Sequence, residues 1–159
     1  DISAGSMDAE MISTVASLNV PYVLMHMQGT PQTMQNEPVY ENVTKEILDF
    51  FIQKTAEFKK AGIKDIVVDL GFGFGKTIQH NFELLRNLSV FKMLNCPVLL
   101  GISRKSFIYK TLNVSVEDSL NGTTALHFAG LTNGASILRV HDVKEAVETI
   151  ELISAYQHH

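Results

Sequence analysis

Apolar residues along the chain alternate between two rhythms. Four runs, Tyr22 to Met25, Ile66 to Val68, Val98 to Leu100 and Ile137 to Val140, are continuous and too short for helices. Short runs that are apolar on both faces are the texture of buried parallel strands. Between them, apolar positions recur at helical spacing. Val43, Ile47, Phe50, Phe51 and Phe58 form one such stripe, followed by Lys59, Lys60 and Gly62. Basic charge in a last turn and a glycine just beyond it suit a helix C-terminus. Further helical stretches run near Met7 to Leu18, Asn81 to Leu94, Ser119 to Leu131 and Val143 to Ala155. Asp142, with Glu145 three residues on, announces the last as a capping box. Strand and helix in alternation predict an α/β fold with a parallel sheet.

Asp1 to Gly5 reads as the end of a further strand whose body precedes the chain. Counting that stub, there are five βα units, whereas a closed (β/α)8 barrel needs eight and about 250 residues. The expectation is therefore a partial barrel over residues 1–159, about the last five units of a single domain. Five units cannot close the cylinder, and open strand edges favour self-association.

Composition narrows the choice of partner. At 159 residues, 45% hydrophobic and 19% charged, the chain has the make-up of one soluble domain. A net charge of −4 argues against an electrostatic grip on nucleic acid or anionic membrane. Cys96 stands alone, which rules out an internal disulfide or a thiolate zinc site. No apolar run approaches the roughly 18 residues of a membrane span, and no basic-then-apolar leader opens the sequence. Small-molecule partners and a cytoplasmic location are expected.

Nearly all the polar and glycine-rich segments directly follow a strand: Asp1 to Gly5, His26 to Thr30, Asp69 to Thr77, Ser103 to Ser106, and Arg139 to Asp142. In a parallel barrel these ends share one mouth. The segment DLGFGFGKT, from Asp69, invites comparison with a phosphate-cradling P-loop, but Gly71 and Gly75 are separated by Phe72, Gly73 and Phe74 only, one residue too few. A strand-end carboxylate, glycines that admit close approach and two aromatic rings suit a flat heterocycle instead. Asp69 can accept two parallel hydrogen bonds from an amino-imino edge like that of a pterin. The alternative for Phe72 and Phe74 is packing beneath the turn.

Ser103-Arg104-Lys105-Ser106 brings two cations and two hydroxyls to the next strand end, for a ligand carbonyl or acid group or simply for solvent. Arg139 and His141 lead straight into the last helix, where free amides, the helix dipole and positive charge favour phosphate or pyrophosphate. The competing reading pairs Arg139 with a core carboxylate and gives His141 a structural hydrogen bond. His26, between Met25 and Met27, reads as a packed strand-end histidine rather than a metal ligand.

MHMQGTPQTMQ from Met25, DLGFGFGKT with Gln79-His80-Asn81 after it, GISRKS from Gly101, NGTTALH from Asn121 and RVHD from Arg139 occur in order across the chain. Together they resemble the dihydropteroate synthase family. That resemblance implies a (β/α)8 barrel joining 6-hydroxymethyl-7,8-dihydropterin pyrophosphate to p-aminobenzoate with release of pyrophosphate, with Mg²⁺ as cofactor and a homodimeric assembly. It gives Asp69, Met25, Gly101, Lys105 and Arg139 to the pterin, and Phe74, Lys105 and Ser106 to p-aminobenzoate. Arg139 and His141 fall to pyrophosphate, with Lys105, Asp69, Arg139 and His141 as the catalytic set. It places the metal ligand, and an asparagine before Asp1, in N-terminal parts that this sequence lacks, so the chain alone is expected to be inactive. Leu70 departs from the proline the family usually has there, which predicts looser placement of Asp69. A non-catalytic pterin or anion-binding module, and a folate-dependent methyltransferase on the same barrel, are the alternatives.

Overall fold

The computed structural model describes residues 1–29 and 38–158, so the part of the first motif from Thr30 to Gln35 lies outside the described residues. Its strands are β1 (Tyr22–Met25), β2 (Ile66–Asp69), β3 (Val98–Leu100) and β4 (Ile137–Leu138). They form one parallel sheet in the order β1-β2-β3-β4. Helices α1 (Met11–Leu18), α2 (Val43–Lys60), α3 (Ile78–Arg86), α4 (Ser106–Leu112), α5 (Leu120–Thr132) and α6 (Val143–His158) fill the connections. The expected α/β class and parallel sheet are what the chain adopts.

The register sets out a row of residues across the sheet. Met25 pairs with Asp69, Asp69 with Leu99, and Leu99 with Ile137. Because side chains alternate faces along a strand, this row and Val23 share one face. Leu24, Val68 and Leu100 point the other way, into a core shared with Ile47, Phe51 and Phe58 of α2, Leu84 of α3, and Phe91. The strands are apolar on both faces, as their sequence reads, yet helices cover only one. On the other, Val23 and Ile137 are exposed.

Several boundaries differ from expectation for local reasons. Asp1 to Gly5 forms a turn rather than a strand: the Asp1 carboxylate accepts from Ser3 N, Ser3 Oγ and Gly5 N. Its terminal amine still donates to Val23 O of β1, at 3.1 Å. Helix α1 starts at Met11 rather than Met7, because Asp8 Oδ1 accepts from Glu10 N and holds a turn ahead of it. The single helix expected over Asn81 to Leu94 is α3 followed by a 3₁₀ segment, Leu88–Leu94, broken at Asn87. Asn42 caps α2 by accepting from Lys45 N, and α2 ends in Lys59 and Lys60 before Gly62 at φ +101°. The Asp142 carboxylate, expected to cap α6, accepts both of its contacts with Arg104.

Candidate functional site

Asp69 ends β2 in the middle of the row and is buried, with Oδ1 accepting from Gly71 N at 2.9 Å. Burial raises its pKa. The Gly71 N–H and the charges of Arg139, Lys105 and Lys76 oppose that rise. Leu70 beside it is fully buried in the helix-side core.

The loop after Asp69 turns on three glycines with positive φ, Gly71, Gly73 and Gly75. A Cβ on Gly71 would collide with the His26 carbonyl oxygen, and one on Gly75 would lie 2.6 Å from Gln28 O. The loop therefore rests with its backbone directly against the segment that follows β1. The two phenylalanines divide the readings open to them. Phe72 is buried and stacks toward Phe107 of α4, whereas Phe74 stays half-buried with Lys105 Nζ 4.3 Å from its ring centroid. Thr77 closes the loop by capping α3 reciprocally with His80.

Lys105 feels both the strand-end carboxylate and the next cation. Burial lowers its pKa, Arg139 lowers it further, and Asp69 opposes both. Arg139 follows β4, its N–H donating to Leu100 O at 3.1 Å. Gly101 makes room for it: a Cβ there would stand 2.7 Å from Nη2. Ser106 opens α4, which the sequence reading missed as a loop. His141 meets the buried Ser103 twice, through its main-chain N at 3.2 Å and Nδ1 at 3.0 Å. A serine hydroxyl can accept twice and donate once, so Ser103 Oγ can hold the His141 ring in either tautomer.

Arg104 departs from the ligand-facing role left open for it. At φ +52° it turns back, donating from Nε and Nη2 to Asp142 at 2.8 Å each and from Nη1 to Val116 O and Glu117 O. This fork ties the loop after β3 to the start of α6. Met25, Asp69, Leu99 and Arg139 line a cleft of about 330 Å³ with Asp1, Ile2 and Val23. The charge of Lys105 acts on its carboxylate, and Lys105 in turn sits over the Phe74 ring; neither of these two, nor Gly101, His141 or Ser106, is among the described residues lining the cleft. Among the described residues, no three His, Cys, Asp or Glu side chains come together as a metal site.

His26 and Lys76 are the pair that sequence reasoning did not find. Both are buried, and Lys76 Nζ lies 3.1 Å from His26 Nδ1. Burial, with the charge of Lys76, lowers the His26 pKa to about 3. A histidine that ionises near 6.5 when unfolded but stays neutral when folded favours the unfolded state as pH falls through that interval. Stability is therefore full above about pH 6.5 and declines toward pH 3, by about 2–3 kcal/mol at pH 4.5 from this group alone. Denaturant titrations at pH 7 and 4.5 should return that loss, and His26→Asn, which cannot take up the proton, should lose less.

A parallel sheet with helices on one face, and a charged cleft where its strands end, defines an α/β protein of the kind that carries its site at the carboxyl ends of its strands. The sequence matches the pterin binding enzyme family over residues 1–141, and the chain belongs to that family. It is 43% identical over 146 residues to the dihydropteroate synthase of Escherichia coli, a match covering 91% of this chain and 52% of that protein. It is also 39% identical over 157 residues to the bifunctional dihydropteroate synthase/dihydropteroate reductase of Helicobacter pylori, covering 99% of this chain and 41% of that one. A crystal structure of the Yersinia pestis dihydropteroate synthase in a sulfonamide drug complex superposes with a TM-score of 0.94 at 37% identity. That superposition covers 99% of this chain and 58% of the other. The Stenotrophomonas maltophilia enzyme with active site-bound imidazole gives 0.95 at 35%, covering 99% and 60%. The chain spans about half the length of the curated relatives it matches.

Proposed function

We propose that this chain is the C-terminal part of a (β/α)8-barrel dihydropteroate synthase, residues 1–159 forming part of one domain. The observation that carries the reading is the meeting of Asp69, Lys105 and Arg139 at the strand ends, in a chain 43% identical to a synthase. The uncovered sheet face, with Val23 and Ile137 exposed, supports a partial barrel.

In the proposed reaction, the bond between the pterin methylene carbon and the pyrophosphate oxygen breaks and the amine of p-aminobenzoate bonds to that carbon. Pyrophosphate leaves with the electron pair and the amine loses a proton. Asp69 accepts from the donor edge of the pterin, and Met25 and Gly101 line its pocket. Lys105 stands between the two substrates, with the Phe74 ring and Ser106 toward p-aminobenzoate. Arg139 and His141 stabilise the negative charge growing on the leaving group. Holding both substrates side by side adds the advantage of an effectively intramolecular reaction.

Mg²⁺, which would neutralise pyrophosphate charge in the whole enzyme, a homodimeric assembly and a cytoplasmic setting complete the proposal. Among the described residues no helix is long and apolar enough to cross a membrane. The test is a synthase assay of the chain extended N-terminally to a closed barrel, beside the 159-residue chain. Dihydropteroate formation by the first and negligible turnover by the second are expected; an inactive extended barrel would overturn the reading.

A further inference from the structure

Among the described residues Lys76 hydrogen-bonds to none that line the cleft, yet every donor of its ammonium is aimed at an acceptor. Nζ lies 3.0 Å from Gly71 O, 3.0 Å from Phe74 O and 3.1 Å from His26 Nδ1. An ammonium has three donors and no acceptor capacity, so three acceptors satisfy it completely. Its surroundings otherwise disfavour charge: the residue is 7% exposed, and burial draws its pKa down to about 7, a fall that Asp69 opposes. Hydrogen bonds made to the charged form oppose it as well.

The two carbonyl acceptors belong to the residues that hold the site. Gly71, whose oxygen Lys76 binds, donates its own N–H to the Asp69 carboxylate. Phe74, whose oxygen Lys76 also binds, offers its ring to Lys105. The third acceptor, His26, stands just past β1, and the ring is held edge-on by Phe50 of α2 at 4.9 Å between centroids. One buried cation thus ties both anchor points of the loop to the neighbouring strand end.

We propose that Lys76 is a positioning residue, fixing the distance between the Asp69 carboxylate and the Lys105–Phe74 pair from beneath the loop without touching substrate. Gly71 and Gly75 permit the loop to lie on the β1 segment; Lys76 holds it there. For the reaction this role rests on the synthase reading, but its effect on the loop does not.

Amide hydrogen exchange on the 159-residue chain tests the loop directly. Lys76→Met should speed exchange at Gly71 and Phe74 at least tenfold and leave the middle of α2 within twofold; equal acceleration everywhere, or none at the loop, overturns the proposal. Should that variant fail to fold, His26→Leu, which removes one acceptor, should speed the same two amides about threefold. His26→Asn, which returns an oxygen near the position of Nδ1, should restore them. Identical exchange in the two would count against the proposal.

In the extended barrel, Lys76→Met should raise the KM for p-aminobenzoate about tenfold, and that for the pterin pyrophosphate and the melting temperature much less. Tyr40→Phe, which removes only a hydrogen bond to Gly75 O, should leave both KM values unchanged. Equal rises in both KM values, or none, overturn the positioning role. An extended parent that makes no dihydropteroate overturns the synthase reading instead, and leaves the exchange result standing.

Discussion

Asp69→Asn in the extended barrel is expected to weaken pterin binding about 100-fold or more, measured by calorimetry, with pyrophosphate affinity kept within threefold. The substitution preserves shape, so the sheet and the loop stay folded, and only the acceptor chemistry changes. An ionised carboxylate presents lone pairs on both oxygens; one oxygen already accepts from Gly71 N. An amide must turn its NH₂ either toward that N–H or toward the donor edge of the pterin, so a donor faces a donor in either case. Losing a charge-assisted hydrogen bond in a buried site costs about 1.5–3 kcal/mol, and 100-fold corresponds to about 2.7 kcal/mol. Affinity within threefold of the parent would remove Asp69 from pterin recognition.

Gly71→Ala should destabilise the 159-residue chain by about 2–5 kcal/mol in denaturant unfolding. Left-handed backbone costs a residue with a Cβ about 1–2 kcal/mol, and Gly71 sits at φ +66°. The new methyl would also strike the His26 carbonyl, which is backbone and cannot swing aside; overpacking of that kind adds about 1–3 kcal/mol. Gly73→Ala supplies the comparison. Its φ is +80°, but its nearest obstacle is Lys105 Cδ at 3.4 Å, part of a flexible side chain. It should lose about 1–2 kcal/mol. Equal losses for the two variants would mean that the loop does not rest on the β1 segment as described.

Where the strands and most helices run was readable because apolar period is a local property. The same is true of a carboxylate and an arginine placed at strand ends, and the register then brings Asp69 and Arg139 to one cleft. Features that depend on distant partners were not readable. Lys76 follows a glycine in the sequence like any loop lysine, and its burial depends on His26, 50 residues earlier in the chain. Arg104 looked available to a ligand until Asp142, 38 residues on, took its guanidinium. Phe72 and Phe74 could not be told apart by alternation, because positive-φ glycines between and around them break the two-residue rhythm of a strand. Helix α4 escaped notice for a different reason: its seven residues are too few to establish a period. The loop signal of Gly5 and Ser6 suggests a strand ending just before it, whereas the Asp1 carboxylate bends Asp1 to Gly5 into a turn.

The order β1-β2-β3-β4 also governs how the chain can assemble during synthesis. Each strand pairs with the one translated just before it, so a polypeptide leaving the ribosome N-terminus first always carries the partner of the next strand already made. The excursions between partners are of similar size, and closure entropy grows only logarithmically with their length. From Tyr22 to Ile66 the chain therefore meets much the same entropic barrier as from Val68 to Val98. Successive strands can dock one at a time onto a growing edge, and none has to wait for a sequence still untranslated.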